Sequence, residues 1–115
     1  MICRQYDIVV VPFPFTDRRA SKRRPALALS TVEFSAGAGH TVLAMITSAD
    51  NPAWPLDVAI DSARAGLGAA SKVRMKLFTL DNRLILRKIG GLHDIDRRAV
   101  EQAMVRLLGA SGSQT

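Results

Sequence analysis

The stretch KRRPALALS at 22–30 closes a run of cations, Arg18, Arg19, Lys22, Arg23 and Arg24, and the last of these directly precedes Pro25. A guanidinium presents a planar fork of N–H donors that matches the oxygens of a phosphate. Such a run is ordinarily a solvated turn. Arg24 differs from its neighbours, because a residue before proline is biased to extended backbone. It is therefore expected at the mouth of a strand, where the scaffold holds it, and a held donor is what stabilises charge in a transition state. Lys22 and Arg23 are candidates for flanking phosphates. Asp17, on the same loop, is a candidate substrate contact and a carboxylate available as a base.

A second apolar run, LAMITS at 43–48, ends in Thr47 and Ser48. A hydroxyl there can bond a phosphoryl oxygen, although a threonine at a strand end is more often structural. Neither residue has the Ser-His-Asp context of an acyl-transfer nucleophile. Trp54 lies between Pro52 and Pro55; exposed it would stack a base, buried it would plug a barrel end. In KVRMK, Lys72, Arg74 and Lys76 alternate with Val73 and Met75, so period-two spacing puts the three cations on one strand face. That face is either a track for a polyanion or simply solvated. His40 and His93 stand far apart in the sequence and make no convincing metal site. No P-loop, GxGxxG, HExxH or paired CxxC occurs, so neither metal nor cofactor is expected.

These residues need a β scaffold to bring them together. Strands are expected at 6–15, 24–32, 41–48, 57–60, 72–81 and 83–92, from β-branched and aromatic runs bounded by turn residues. Pro12 and Pro14 cannot donate to a ladder, which makes the end of the first strand an edge or bulge. Residues 16–23 and 49–56 read as loops, 35–40 as a turn, 61–71 as a loop with one helical turn, and Asn82 as part of a tight turn. The period then changes. Val100, Ala103, Met104, Leu107 and Leu108 fall on one helical face, with Asp94 or Asp96 as cap and Gly109 as terminator. Six or seven short strands followed by one helix make a mainly β small barrel with a C-terminal helix. One domain over 1–110 and a short flexible tail at 111–115 are expected.

The bulk composition agrees. In 115 residues, 48% of them hydrophobic, a real core can form, and no apolar run is long enough to span a membrane. MICRQYD is too short and too charged for a signal peptide. The single cysteine, Cys3, cannot form an internal disulfide, which fits a reducing, cytoplasmic setting. The formal charge of +6 attracts polyanions, nucleic acid first and an acidic protein second.

Taken together, YDIVVVPFPFTD, KRRPALALS, AMITS, AGLGAASKVRMKLFTLD, LILRKIGGL and the amphipathic tail resemble, in order along nearly the whole chain, the MazF/PemK family of toxin endoribonucleases. The resemblance implies an SH3-like barrel (CcdB/PemK-like) with a C-terminal helix, acting as a homodimer. It implies metal-independent cleavage of single-stranded RNA at short sequences, inhibition of translation and growth, and neutralisation by a cognate MazE-like antitoxin with an acidic tail. Arg24 and Thr47 match the family's catalytic Arg and Thr, and Arg74 matches a second basic residue of some members. Lys76 stands where some members carry an acid, and the segment before TLD is one residue shorter. The usual glycine before the first Asp is Tyr6 here. The alternative reading, from another class, is a non-catalytic barrel that poisons gyrase, as the CcdB type does, or only binds RNA.

Overall fold

A computed structural model describes residues 1–13 and 22–109. Six strands form one antiparallel sheet: β1 (Asp7–Phe13), β2 (Lys22–Ala28), β3 (His40–Ser48), β4 (Val58–Ala59), β5 (Ser71–Asp81) and β6 (Arg87–Gly91). Their order is β4-β5-β3-β2-β1-β6, and the sheet curls into a half-barrel. Two α-helices accompany the sheet among the described residues, a short α1 (Val32–Ala38) between β2 and β3 and a long α2 (Asp94–Leu108) at the end. Asp17 and the tail at 111–115 lie outside the described residues.

The alternation of the strands builds two cores, one on each face. Ile8, Leu27, Ala44, Ile46, Val73 and Met75 pack with Val100 and Ala103 of α2. On the opposite face Val9, Val11, Ala26, Ala28, Leu43 and Leu80 close over Cys3 and Ile85. No helix of the described residues is long and apolar enough to cross a membrane.

Several local expectations are corrected. The segment read as a strand end followed by a turn is α1: the Thr31 side chain accepts from the Phe34 amide at 3.2 Å, and Gly39 ends the helix in the left-handed region at φ 70°. The tight turn expected at Asn82 is present, as a single 3-10 turn, Asn82–Leu84, capped by Asp81. The N-cap of α2 is His93, while Asp94 and Asp96 sit in its first turn, where the helix dipole favours negative charge. Gly109 ends that helix as expected. Leu107 and Leu108 face solvent instead of the core, Leu108 with 72% of its surface exposed.

Two prolines shape the sheet. In β1, Pro12 falls past Val10, the last residue paired to β6, so its missing N–H costs no rung. Pro25 acts more directly. The Leu29 amide donates to the Val42 carbonyl at 2.8 Å, and by alternation Leu27 and Pro25 turn their backbone groups the same way, toward β3. The β2–β3 pairing runs Ala28↔Leu43, Leu27↔Ala44, Ala26↔Met45 and then stops. Pro25 has no N–H for the next rung, and beyond it the two strands part.

Candidate functional site

Arg24 and Thr47 stand on the two sides of that parting. Ala26 pairs with Met45, so the same register carried two residues on, past Pro25 and Ile46, sets Arg24 against Thr47. Both side chains leave the sheet on the face of the smaller core, because Arg24 alternates with Ala26 and Thr47 with Met45 and Leu43. The site is thus an unclosed seam with a guanidinium on one lip and a hydroxyl on the other.

Arg24 is half-buried. Its guanidinium carbon lies 4.8 Å from the centroid of the Phe13 ring, and its Nε is buried without a hydrogen-bond partner among the described residues. Lys22 shares the face of Arg24 by alternation, whereas Arg23 points to the other; both are exposed and pair with Phe13 and Pro12 of β1.

The Thr47 hydroxyl accepts a hydrogen bond from the side-chain amide of Asn51. Ser48 points the other way and serves the turn: its Oγ accepts from the Asp50 amide at 3.2 Å, and its carbonyl accepts from the Asn51 amide at 3.1 Å. Across the ladder Thr47 pairs with Lys72.

The β5 cations do not form the bare basic face expected of them. Asp57 engages two of the three. Its carboxylate takes Arg74 at both oxygens, Nε at 3.2 Å and Nη2 at 3.0 Å, and also meets Lys72 Nζ at 3.2 Å. Lys72 Nζ further donates to the Asn51 carbonyl at 2.7 Å and is only 9% exposed, so it is an internal strut. Arg74 Nη2 donates to the Pro52 carbonyl at 2.7 Å. Burial, the largest influence on Asp57, pushes its carboxyl up; the hydrogen bonds from Arg74, the Trp54 amide and Lys72 together outweigh it and hold the group below the usual carboxylate range. Only Lys76 is left exposed, inside a bulge: Ala44 pairs with Leu77 and Met45 with Arg74, so Met75 and Lys76 have no opposing residues.

Trp54 is 42% exposed and does not plug the barrel. Arg74 and Lys76 both approach its ring, at 5.5 and 5.6 Å from the centroid. Its loop is a tight turn with Pro55 and Leu56 at the centre: the Asp57 amide donates to the Trp54 carbonyl at 3.1 Å and the Trp54 amide to Asp57 Oδ2 at 3.0 Å. Leu56 adopts φ 64°, a value that suits glycine in a turn of this kind. Its side chain packs against the larger core, which offsets the strain. Asn51 and Asp57 were not singled out in the sequence. Asp57 reads there as the start of a short strand, and no spacing rule links it to cations on a distant strand. Among the described residues, no group of three or more His, Cys, Asp or Glu side chains is gathered as metal ligands would be.

The fold and the seam define a small SH3-like barrel with a guanidinium and a hydroxyl set on neighbouring strands. The sequence matches the family described as PemK-like, MazF-like toxin of type II toxin–antitoxin system over residues 4–108. The chain belongs to that family, whose toxins are endoribonucleases. Solved structures share the architecture. A MazF crystal structure from Deinococcus radiodurans superposes with a TM-score of 0.75 at 21% identity, over 96% of this chain and 99% of that one. An endoribonuclease in complex with its cognate antitoxin, from a mycobacterial species, gives 0.76 at 14% identity, over 93% and 95%. The Mycobacterium tuberculosis toxin MazF-mt6 gives 0.73 at 21%, over 90% and 96%. No curated protein sequence matches the chain significantly.

Proposed function

We propose that this chain is the toxin of a toxin–antitoxin pair and cleaves single-stranded RNA without a metal ion, with Arg24 and Thr47 as its catalytic residues. The observation that carries this reading is the Arg24–Thr47 seam, in which a buried guanidinium Nε with no partner among the described residues lies across a missing rung from a hydroxyl. A buried donor left unsatisfied costs about 1–3 kcal/mol, and a phosphoryl oxygen would satisfy it.

The RNA's own 2′-OH attacks the adjacent phosphorus. The new O–P bond closes a 2′,3′-cyclic phosphate as the bond to the 5′-oxygen breaks. The 2′-OH proton passes to a base, and the departing 5′-oxygen takes one up to leave as 5′-OH. Arg24 neutralises the phosphorane and donates toward it, and Thr47 hydrogen-bonds a non-bridging oxygen. A guanidinium stays protonated at neutral pH, so Arg24 is a poor base; Asp17 is the candidate for that role. Arg74 and Lys76 flank the path of the strand, Trp54 offers a face to a base, and Lys22, on the face of Arg24, lines the approach, while Arg23 and Ser48 point away from it. The toxin works as a homodimer in the cytoplasm, and the acidic tail of a MazE-like antitoxin occupies the same groove.

The test is incubation of the purified protein with mixed-sequence single-stranded RNA in EDTA, followed by end-group analysis. Discrete fragments with 2′,3′-cyclic phosphate and 5′-OH ends are expected, slowed about 10²–10³-fold in Arg24→Ala and in Thr47→Ala. RNA binding should weaken steeply with salt. Intact RNA across many sequences would return the chain to the non-catalytic reading, whereas full activity in Arg24→Ala would end the assignment of Arg24 to the chemistry.

A further inference from the structure

We infer that Asn51 is a positioning residue for this reaction, holding the Thr47 hydroxyl so that its hydrogen points into the seam. The inference rests on the nuclease reading above. A hydroxyl has one hydrogen and two lone pairs. The Asn51 amide donates to Thr47 Oγ1 and so occupies a lone pair. The hydroxyl hydrogen then has to find its acceptor elsewhere, and the seam beside Arg24 is where a phosphoryl oxygen would arrive. Without that donor, the hydroxyl rotates freely and often presents a lone pair to the anion.

The mount is built for the purpose of holding Asn51 still. Its amide donates to the Ser48 carbonyl at 3.1 Å, closing the turn that brings it back over the end of β3. Its carbonyl accepts from Lys72 Nζ at 2.7 Å. Lys72 is in turn paired to Asp57 at 3.2 Å. Asn51 is thus held through its backbone by a turn and a buried lysine, while its side chain is left for Thr47.

The experiment measures kcat and KM for cleavage of a single-stranded RNA oligonucleotide in EDTA, with far-UV circular dichroism to confirm folding. Asn51→Ala should lower kcat about tenfold with KM within about twofold, the pattern of an interaction needed in the transition state. In a Thr47→Ala background the same change should have no further effect, because the group it orients is gone. Asn51→Asp is nearly isosteric and keeps the turn if the alanine variant collapses it. A carboxylate there accepts the Thr47 hydrogen, so this variant should be slower than Asn51→Ala. Additive losses in the double variant, a change confined to KM, or Asn51→Asp as fast as Asn51→Ala would overturn the inference while leaving the nuclease reading intact. An unaltered protein that leaves the RNA whole would overturn both.

Discussion

Asp57 holds the guanidinium of Arg74 with both carboxylate oxygens, at 3.2 and 3.0 Å, from the far end of a loop that also carries Trp54. The pair fastens residues 49–57 to β5. Its carboxyl is held below the usual range in the folded protein, so it contributes stability above the unfolded value near 4, and that stability is lost as the pH falls through the lowered folded value. Trp54 is the only tryptophan and reports on the clasp directly. Its emission should change on acidification below about pH 4, and Asp57→Asn should abolish that transition while costing about 1–3 kcal/mol in chemical denaturation. An unchanged acid transition in Asp57→Asn would show that another group governs the loop.

Pro25 keeps the seam open by withholding an N–H. Pro25→Ala supplies one on the side facing β3, where the rung after Leu27↔Ala44 is due. The ladder should extend toward Thr47. Hydrogen exchange should reveal a new protected amide at position 25, and RNA cleavage should fall because the lips of the seam are drawn together. A rapidly exchanging amide at that position, with activity unchanged, would mean that the strands part for another reason.

Tyr6 occupies a backbone conformation that L residues avoid, with φ 72°, yet it is 94% removed from solvent, its exposure being 6%. Burial, the Glu101 carboxylate and a hydrogen bond to it push the phenol up to about 12, with Arg97 5.7 Å from the ring centroid opposing. The folded state favours the neutral phenol. Its contribution is therefore complete below the ordinary value near 10 and disappears as the pH rises toward about 12. Tyr6→Phe should remove that alkaline loss and cost about 1 kcal/mol at neutral pH. Tyr6→Gly relieves about 1–2 kcal/mol of backbone strain but gives up an aromatic side chain whose loss costs about 3–5 kcal/mol. The melting temperature should therefore fall even though glycine suits the backbone better.

Gly90 lies where β6 meets the loop at 61–71. A Cβ there would come 1.9 Å from the Ala65 carbonyl oxygen, a main-chain atom that cannot swing away. At Gly91 the nearest atom would be 3.5 Å off. Gly90→Ala should lose on the order of 3 kcal/mol in urea denaturation, and Gly91→Ala far less. Equal losses would show that the loop can retreat.

Much of this was legible in the residue pattern, and the parts that were not share a cause. RPALALS, TVLAMITS and KVRMKLFTLD show their strands because alternation and β-branching are local properties. Arg24 was marked by the proline after it, whereas Thr47 read by itself as an ordinary strand end; the family resemblance is what singled out the pair. α1 was missed because VEFSAGA has β-branched and aromatic residues where a helix would want Ala or Leu, although Thr31, Glu33 and Gly39 carried its caps. Asp57 and Asn51 were missed because their partners, Arg74, Lys72 and Thr47, come from a strand ladder whose register depends on the whole sheet. The exposure of Leu107 and Leu108 likewise depends on where α2 ends relative to the sheet edge, which a helical wheel does not contain.

The loop between Ser48 and Val58 meets the sheet through Asp57, the Asn51 contacts and the packing of Leu56, while Arg24 and Thr47 grow from strands with cores on both sides. If Arg24 and Thr47 cut RNA as proposed and this loop reads it, cutting and reading are mounted on separable parts joined at Asn51. Mutational drift can rewrite positions 52–55 without disturbing the register that sets the guanidinium against the hydroxyl, provided the anchoring residues survive. On that reading, a lineage built this way would be free to change which nucleotides it prefers while keeping the ability to break the chain.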